Sequence, residues 1–209
     1  MARYTEATCR LCRRALEKLF LKGTRCYTEK CAMTKRAFAP GQHGEGRRSK
    51  LSNYGLQMRE KQKVKWMYGV LEKQFRLYFK TAAKTKGVTG KVLLQLLERR
   101  LDNVIFRIGL GISRVQARQL VRHNFVYVNG KRVNIPSFLV DKDDIIEVKA
   151  KEKAAKKIKE ILELSKDRTV PSWLEFDAAN LKAKVVRLPE KEDISSTIQE
   201  QLIVELYSK

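Results

Sequence analysis

The distribution of charge constrains this chain more than any other feature. Of its 209 residues 45 are Lys or Arg and 23 are Asp or Glu, a formal net charge of +22. The surplus is uneven: residues 1–100 carry 25 basic against 7 acidic residues, whereas residues 151–209 carry 12 against 11. A fold built from the first half must tolerate close like charges, so it calls for a polyanion or dense counterions around it. The last third has the balance of ordinary globular surface. With 43% apolar residues the chain has material for one or two cores. No apolar run reaches the roughly 20 residues of a membrane span, and Met1-Ala2-Arg3-Tyr4 leads into polar sequence rather than a secretory h-region. A cytoplasmic, reducing setting with no membrane partner is expected.

In that setting four cysteines among the first 31 residues point to metal rather than disulfides. Cys9 and Cys12 enclose two residues, thirteen follow, and Cys26 and Cys31 enclose four. Each short pair can present two adjacent corners of a tetrahedron, so the expected cofactor is one structural zinc on four thiolates. An iron–sulfur cluster on the same ligands and free thiols are the alternatives. Residues 1–31 are too few and too polar for a core of their own, and metal would supply the missing cross-link. Neighbouring cations would lower the thiol pKa values and offset the dianionic centre.

A short helical stretch is predicted from about Arg13 to Leu21, between the two pairs. Residues 34–53 are rich in Gly and basic residues and have no apolar period, which reads as an extended segment ordered by a polyanion. Next, Val64, Met67, Leu71, Phe75 and Tyr78 recur at spacings of three and four, predicting one long amphipathic helix over 53–80. Lys61, Lys65, Lys73, Arg76 and Lys80 lie largely off that stripe, so its exposed face should be cationic. Residues 82–91 look like a linker. Leu93, Leu97, Leu101, Val104 and Ile108 predict a further helix from Val92 to Ile108, ended by Gly109-Leu110-Gly111.

Ser113 and Gln116 form a capping-box pattern opening a helix to about His123, on which Arg114, Arg118 and Arg122 recur every four residues. The period then changes to that of a strand. Phe125–Val128, Asn129-Gly130 and Lys131–Val133 predict a hairpin with a type I′ turn, and Ile145–Val148 a further strand. Residues 151–166 read as helix, 174–188 as short strands, and Gln199 to Tyr207 as a closing segment with an apolar face.

The run from Arg100 to Val148, with its Leu101-Asp102 opening, Ser113–Gln119 helix, Val128-Asn129-Gly130 turn and Asp143-Asp144 lead, resembles a small RNA-binding module. Its owners include ribosomal protein four, some pseudouridine synthases, bacterial tyrosyl-tRNA synthetases and a heat-shock ribosome-binding protein. Pro40 to Phe79 resembles the N-terminal domain of one owner, the bacterial family of small-subunit ribosomal protein four, here in a form with zinc-binding cysteines. Many bacterial members of that family lack the four cysteines.

The resemblance implies an α+β fold: a mostly helical, zinc-containing N-terminal domain (1–90, metal site in 1–50) and a second domain (91–195). The second domain holds the helix–turn–helix and hairpin module (about 99–162) with a small mixed sheet. Residues 196–209 would pack back on the first domain. The implied function is structural: primary binding to 16S ribosomal RNA, nucleating small-subunit assembly, and an influence on decoding accuracy with small-subunit protein five. Other small-subunit proteins, and messenger RNA where it enters the subunit, are further implied partners.

Candidate phosphate contacts are Arg3, Arg10, Arg13, Arg14, Lys35, Arg36, Arg47, Arg48, Lys50, Lys61, Lys65, Arg114, Arg118, Arg122, Lys131 and Arg132. The planar fork of Arg suits phosphate, and A-form RNA is read largely by backbone shape. Two other classes compete: an RNA-modifying enzyme carrying the module as an appendage, and a zinc-containing DNA-binding regulator. Against the first, no length remains for a catalytic domain of roughly 100–200 residues and no Ser/His/Asp or Cys/His arrangement appears. No enzymatic activity is expected. His43 and His123 are the only histidines. Against the second, the hairpin directly after the arginine helix and the widespread cationic surface suit RNA.

Overall fold

A computed structural model describes residues 3–46, 50–150, 152–165, 168–194 and 197–208. The chain forms two compact units, one of Met1–Leu93 with Thr197–Lys209 and the other of Leu94–Ser196. No helix among the described residues is long and apolar enough to cross a membrane.

The first unit contains α1 (Cys9–Ala15), a 3-10 turn at Gly23–Cys26, α2 (Ala32–Lys35), α3 (Asn53–Met67), α4 (Glu72–Lys84), the start of α5 (Thr89–Glu98) and α9 (Glu200–Tyr207). Where a helix was predicted over 13–21, α1 starts at Cys9 and stops at Ala15, because Leu16 turns left-handed (φ 62°). The long helix predicted over 53–80 is two helices. Gly69 takes φ +63°, its N–H bonds the Trp66 carbonyl (3.2 Å), and the Val70 N–H bonds that of Lys65 (3.0 Å). These two bonds are the Schellman stop, which a residue free to adopt positive φ permits. Val64, Met67, Phe75 and Tyr78 are buried as the stripe predicts, while Leu71 is exposed beside the break.

α9 packs on α3. Its Tyr207 ring lies 4.7 Å from Phe79 and 6.2 Å from Phe75, and its Glu205 accepts a 2.8 Å bond from Gln57. Just ahead of it the Thr197 carbonyl takes the Lys63 ammonium at 2.6 Å, and the Gln199 N–H bonds Glu60 at 2.9 Å.

The second unit begins within α5 and continues through α6 (Leu101–Arg107), α7 (Arg114–Arg122), β1 (Val126–Val128), β2 (Lys131–Arg132) and β3 (Ile145–Val148). α8 (Glu152–Leu164), β4 (Leu174–Asp177), β5 (Lys182–Val185) and a 3-10 turn at Lys191–Asp193 complete it. The single helix predicted from Val92 to Ile108 is broken at Arg100, which is extended (φ −63°, ψ 133°). There the backbone pairs elsewhere: the Val140 N–H bonds the Arg99 carbonyl (3.0 Å) and the Leu101 N–H that of Phe138 (2.8 Å). The apolar period survives the break because Leu93, Leu97, Leu101, Val104 and Ile108 are buried on both sides of it.

The sheet has the order β2-β1-β3-β5-β4. Every pairing is antiparallel, which corrects the mixed sheet expected above. β1 to β2 and β4 to β5 are joined by short turns, and β3, reached by a longer connection, pairs antiparallel with both β1 and β5. Val126, Val128, Ile146, Val148, Ala183 and Val185 alternate onto the core face, where α6 and α7 supply Val104, Ile105, Ala117 and Val121. At the β1–β2 turn Asn129 and Gly130 take φ 50° and 76°, as the type I′ geometry predicts. The Asn129 amide then donates to Asp144 (2.7 Å) and its oxygen accepts from the Ile145 N–H (2.9 Å), tying the hairpin to β3.

α6 and α7 both end in Schellman turns, at Gly109 (φ 83°) and Asn124 (φ 64°). A Cβ on Gly109 would sit 3.1 Å from the Ser165 hydroxyl oxygen, which bonds the Gly109 carbonyl at 2.6 Å. Gly109→Ala is therefore expected to destabilise the protein by about 1–3 kcal/mol, measured as a lower urea midpoint with unchanged slope. An unaltered midpoint would refute the requirement.

Candidate metal centre and nucleic-acid interface

α1 places Cys9 and Cys12 one turn apart, the 3-10 turn ends at Cys26, and Cys31 is the N-cap of α2. The four thiols are unpaired; Cys12, Cys26 and Cys31 are buried and Cys9 half-buried. All four line one hollow of about 20 Å³ together with Leu21 and Met33. Burial pushes the Cys12 and Cys26 thiols up and the other cysteines add to this, while backbone N–H groups of Leu19 and Lys22 act in the opposite sense. The Lys22 N–H lies 3.3 Å from the Cys26 sulfur. No group of three or more His, Cys, Asp or Glu side chains among the described residues is already arranged to hold a metal ion. The shared hollow, the all-thiol donor set and the inward N–H groups fit a single ion in donor chemistry and in room, since a water needs roughly 10–15 Å³.

The cations of the first unit divide into two populations. Arg3, Arg10, Arg14, Lys35, Arg36 and Lys50 are exposed. Arg13 is half-buried and holds the following segment: its guanidinium bonds the carbonyls of Phe38 (2.9 Å) and Ala39 (3.1 Å) and lies 4.9 Å from the Phe38 ring. Arg47 and Arg48 lie outside the described residues. Lys61 and Lys65 depart from the expected exposed face. Lys61 is 5% exposed and bonds Glu72 at 3.0 Å, and Lys65 reaches the other oxygen of Glu72 at 3.2 Å.

Glu72 is the hub of this unit, also accepting from the Tyr207 hydroxyl (2.9 Å) and pairing with Arg76 (3.5 Å). Burial raises its pKa, but the bonds from Lys61, Tyr207 and Lys65 outweigh this and hold it down to about 2 from 4.5. The Tyr207 hydroxyl is pushed well above its ordinary value by burial and by that same carboxylate.

In the second unit the arginines of α7 share a face, as their spacing requires, but most of that face is turned inward. Arg118 is 8% exposed and reaches Asp102 at 3.3 Å, and Asp102 also takes the Arg100 guanidinium at 2.6 Å. Burial lowers the Arg118 pKa, opposed by Asp102 and reinforced by Arg100 and Arg122. Half-buried Arg114 bonds Asn103 at 2.8 Å and stacks 4.4 Å from Phe106, whose ring also receives Arg168 at 4.3 Å. Glu98, fully buried, takes Arg107 at 2.5 Å and the Asn103 amide.

Arg122, Lys131 and Arg132 remain exposed. The cap of α7 is a variant of the predicted box: Ser113 accepts from the Gln116 N–H (3.3 Å), but Gln116 reaches back to the Ile112 N–H (2.8 Å). His43 and His123 are exposed, and His123 caps α7 with its ring 6.4 Å from Phe125. Sequence reading missed the internal partners Glu72, Glu98 and Asp102. For Glu72 and Glu98 the signal was scarcity: only Glu60, Glu72 and Glu98 offset twelve cations in residues 51–100.

A helical unit with a four-cysteine hollow, followed by a helix–turn–helix and hairpin on an antiparallel sheet, defines a class of protein built around an S4 domain. Residues 3–98 match the Ribosomal protein S4/S9 N-terminal domain, and residues 99–146 match the S4 domain. Over all 209 residues, covering the whole of both chains, the sequence is 61% identical to small ribosomal subunit protein uS4 of Thermodesulfovibrio yellowstonii. It is 59% identical to that of Ruminiclostridium cellulolyticum and 61% identical to uS4A of Alkaliphilus oremlandii, again over the full length of each. The chain belongs to the family of small ribosomal subunit protein uS4.

The sign of the Glu72 effect sets a pH window. Its folded-state pKa lies below the ordinary 4.5, so its contribution is complete above that value and is lost as pH falls towards about 2. Between about pH 5 and about pH 3 the wild type is expected to lose roughly 1 kcal/mol more stability than Glu72→Gln, allowing for the partial exposure of the carboxylate. Parallel losses in denaturant titrations of both proteins would show that Glu72 does not act in this way.

Proposed function

We propose that this chain is a structural constituent of the small ribosomal subunit in the cytoplasm, binding 16S ribosomal RNA directly as an early assembly protein and catalysing no reaction. The observation that carries the reading is the sorting of charge. The carboxylates Glu60, Glu72 and Glu98 are engaged by neighbouring cations, while Arg10, Arg14, Lys35, Arg36, Arg122, Lys131 and Arg132 face outward. Such a surface gains free energy by releasing the counterions of an RNA backbone. Full-length similarity to relatives named as small ribosomal subunit proteins supports the same reading. We extend it to contacts with small-subunit protein five, an influence on decoding accuracy, and proximity to messenger RNA where it enters the subunit.

For the full-length protein, triple replacement of Arg122, Lys131 and Arg132 by Ala should reduce the log–log salt slope of 16S RNA binding. The expected reduction is about 2, since each neutralised phosphate contributes roughly 0.7–0.9. Filter binding at several salt concentrations measures it, with duplex DNA as competitor. An unchanged slope would remove these residues from the interface, and preference for DNA would replace the RNA reading with that of a DNA-binding regulator.

Cys9, Cys12, Cys26 and Cys31 would hold one zinc ion, which would cross-link a segment lacking a core of its own. The atom-sized hollow favours an ion over an iron–sulfur cluster. Elemental analysis is expected to find one zinc per chain and less than a tenth of that in Cys12→Ser. Iron with matching sulfide would establish the cluster instead.

A further inference from the structure

Between the end of α1 and α3 lies a groove of about 460 Å³, of whose lining only Arg14 is among the phosphate contacts considered above. Tyr54, Met58, Gln62 and Trp66, at spacing four on α3, form its long wall, and Arg14 and Arg59 are the cations at its edge. Tyr54 and Trp66 lie twelve residues apart, roughly 18 Å along a helix rising about 1.5 Å per residue. Tyr54 is 56% exposed, a large aromatic surface left in water beside two exposed guanidinium groups. The groove contains one carboxylate, Glu60, and it is engaged by Lys63 (2.9 Å) and by the Gln199 N–H (2.9 Å). Lys63 in turn reaches Glu17 at 3.3 Å. No carboxylate among the described residues pairs with Arg14 or Arg59, so the free charge of the groove is positive.

We propose that this groove is a subsite for a short single-stranded run of RNA, with an unstacked base on Tyr54, a second against Trp66, and the linking phosphates on Arg14 and Arg59. The proposal rests on the RNA-binding reading above and adds to it a place where bases, rather than backbone, are held. Aromatic faces alternating with cations are what unpaired nucleotides require, because every base has a face to stack and every link a charge to neutralise. An acidic peptide would satisfy the arginines but would leave the Tyr54 and Trp66 rings without flat partners.

The chain carries its own reporter. It has two tryptophans, and Trp173 is fully buried in the other unit, so quenching by a stacked base must come from Trp66. The full-length protein is titrated with an unstructured ten-nucleotide oligouridylate and, separately, with inorganic polyphosphate of equal charge. The oligonucleotide is expected to quench tryptophan emission, polyphosphate is not, and Trp66→Phe should abolish the quench.

Tyr54→Ala should weaken oligonucleotide binding about tenfold without altering its salt slope, whereas Tyr54→Phe should bind as the wild type does. Replacement of both Arg14 and Arg59 by Ala should lower that slope by roughly 1.5. Circular dichroism of each variant establishes that it folds. If 16S RNA binds tightly but Trp66 is silent and Tyr54→Ala is neutral, the subsite is wrong and the RNA-binding reading stands. Equal quenching by polyphosphate would reduce the groove to a plain anion site and overturn the proposal. If no RNA binds at all, both readings fall.

Discussion

Shared carboxylates hold each unit together. In a chain with almost two cations for every acid, a buried Lys or Arg is tolerable only beside a negative partner, and partners are scarce. Glu72 therefore serves Lys61, Lys65 and Arg76 and ties them to Tyr207 of the closing helix. Asp102 serves Arg100 and Arg118, and Glu98 serves Arg107. The Glu72 network joins elements distant in sequence, and loss of Glu72 or Asp102 would strand more than one charge in a poorly solvated setting.

The same economy shapes the surface. Acids held in internal networks are not available as close partners for the outer cations, although the net charge of +22 is unchanged by the pairing. In this member of the uS4 family the acids that lock α3, α4 and α9 together are engaged there, while Arg14 and Arg36 are exposed, as the proposed RNA contact requires. Arg13 shows the balance at one residue, since its guanidinium fixes the backbone at Phe38 and Ala39.

How much of the candidate site was legible differs from residue to residue for physical reasons. The cysteine spacing identified four thiols that do line one hollow, because short-range geometry decides where a close pair of sulfurs points. The arginine repeat on α7 correctly placed Arg114, Arg118 and Arg122 on one face, since spacing four fixes that in any helix. It did not say which neighbour the face meets, and α6 with Asp102 claimed Arg118. Lys61 and Lys65 followed the same course, drawn inward once the chain turned at Gly69 and brought Glu72 within reach. The groove along Tyr54 and Trp66 went unnoticed because its second wall, on α1, lies some forty residues away.

Local interactions are what the amino-acid order determined unaided: the type I′ turn at Asn129-Gly130, the Ser113 cap, the alternating strands and the apolar stripes all follow from forces within a few residues, whereas the α+β class was implied by the family resemblance. The stop at Gly69 is local too, closed by bonds to Trp66 and Lys65, although the continuous apolar stripe conceals it. Tertiary structure alone decided the break at Arg100, the antiparallel order of the sheet, and which cations are neutralised internally. Those outcomes depend on backbone and carboxylate partners brought from far along the chain. Periodicity runs undisturbed through both breaks because the buried stripe continues on either side of each.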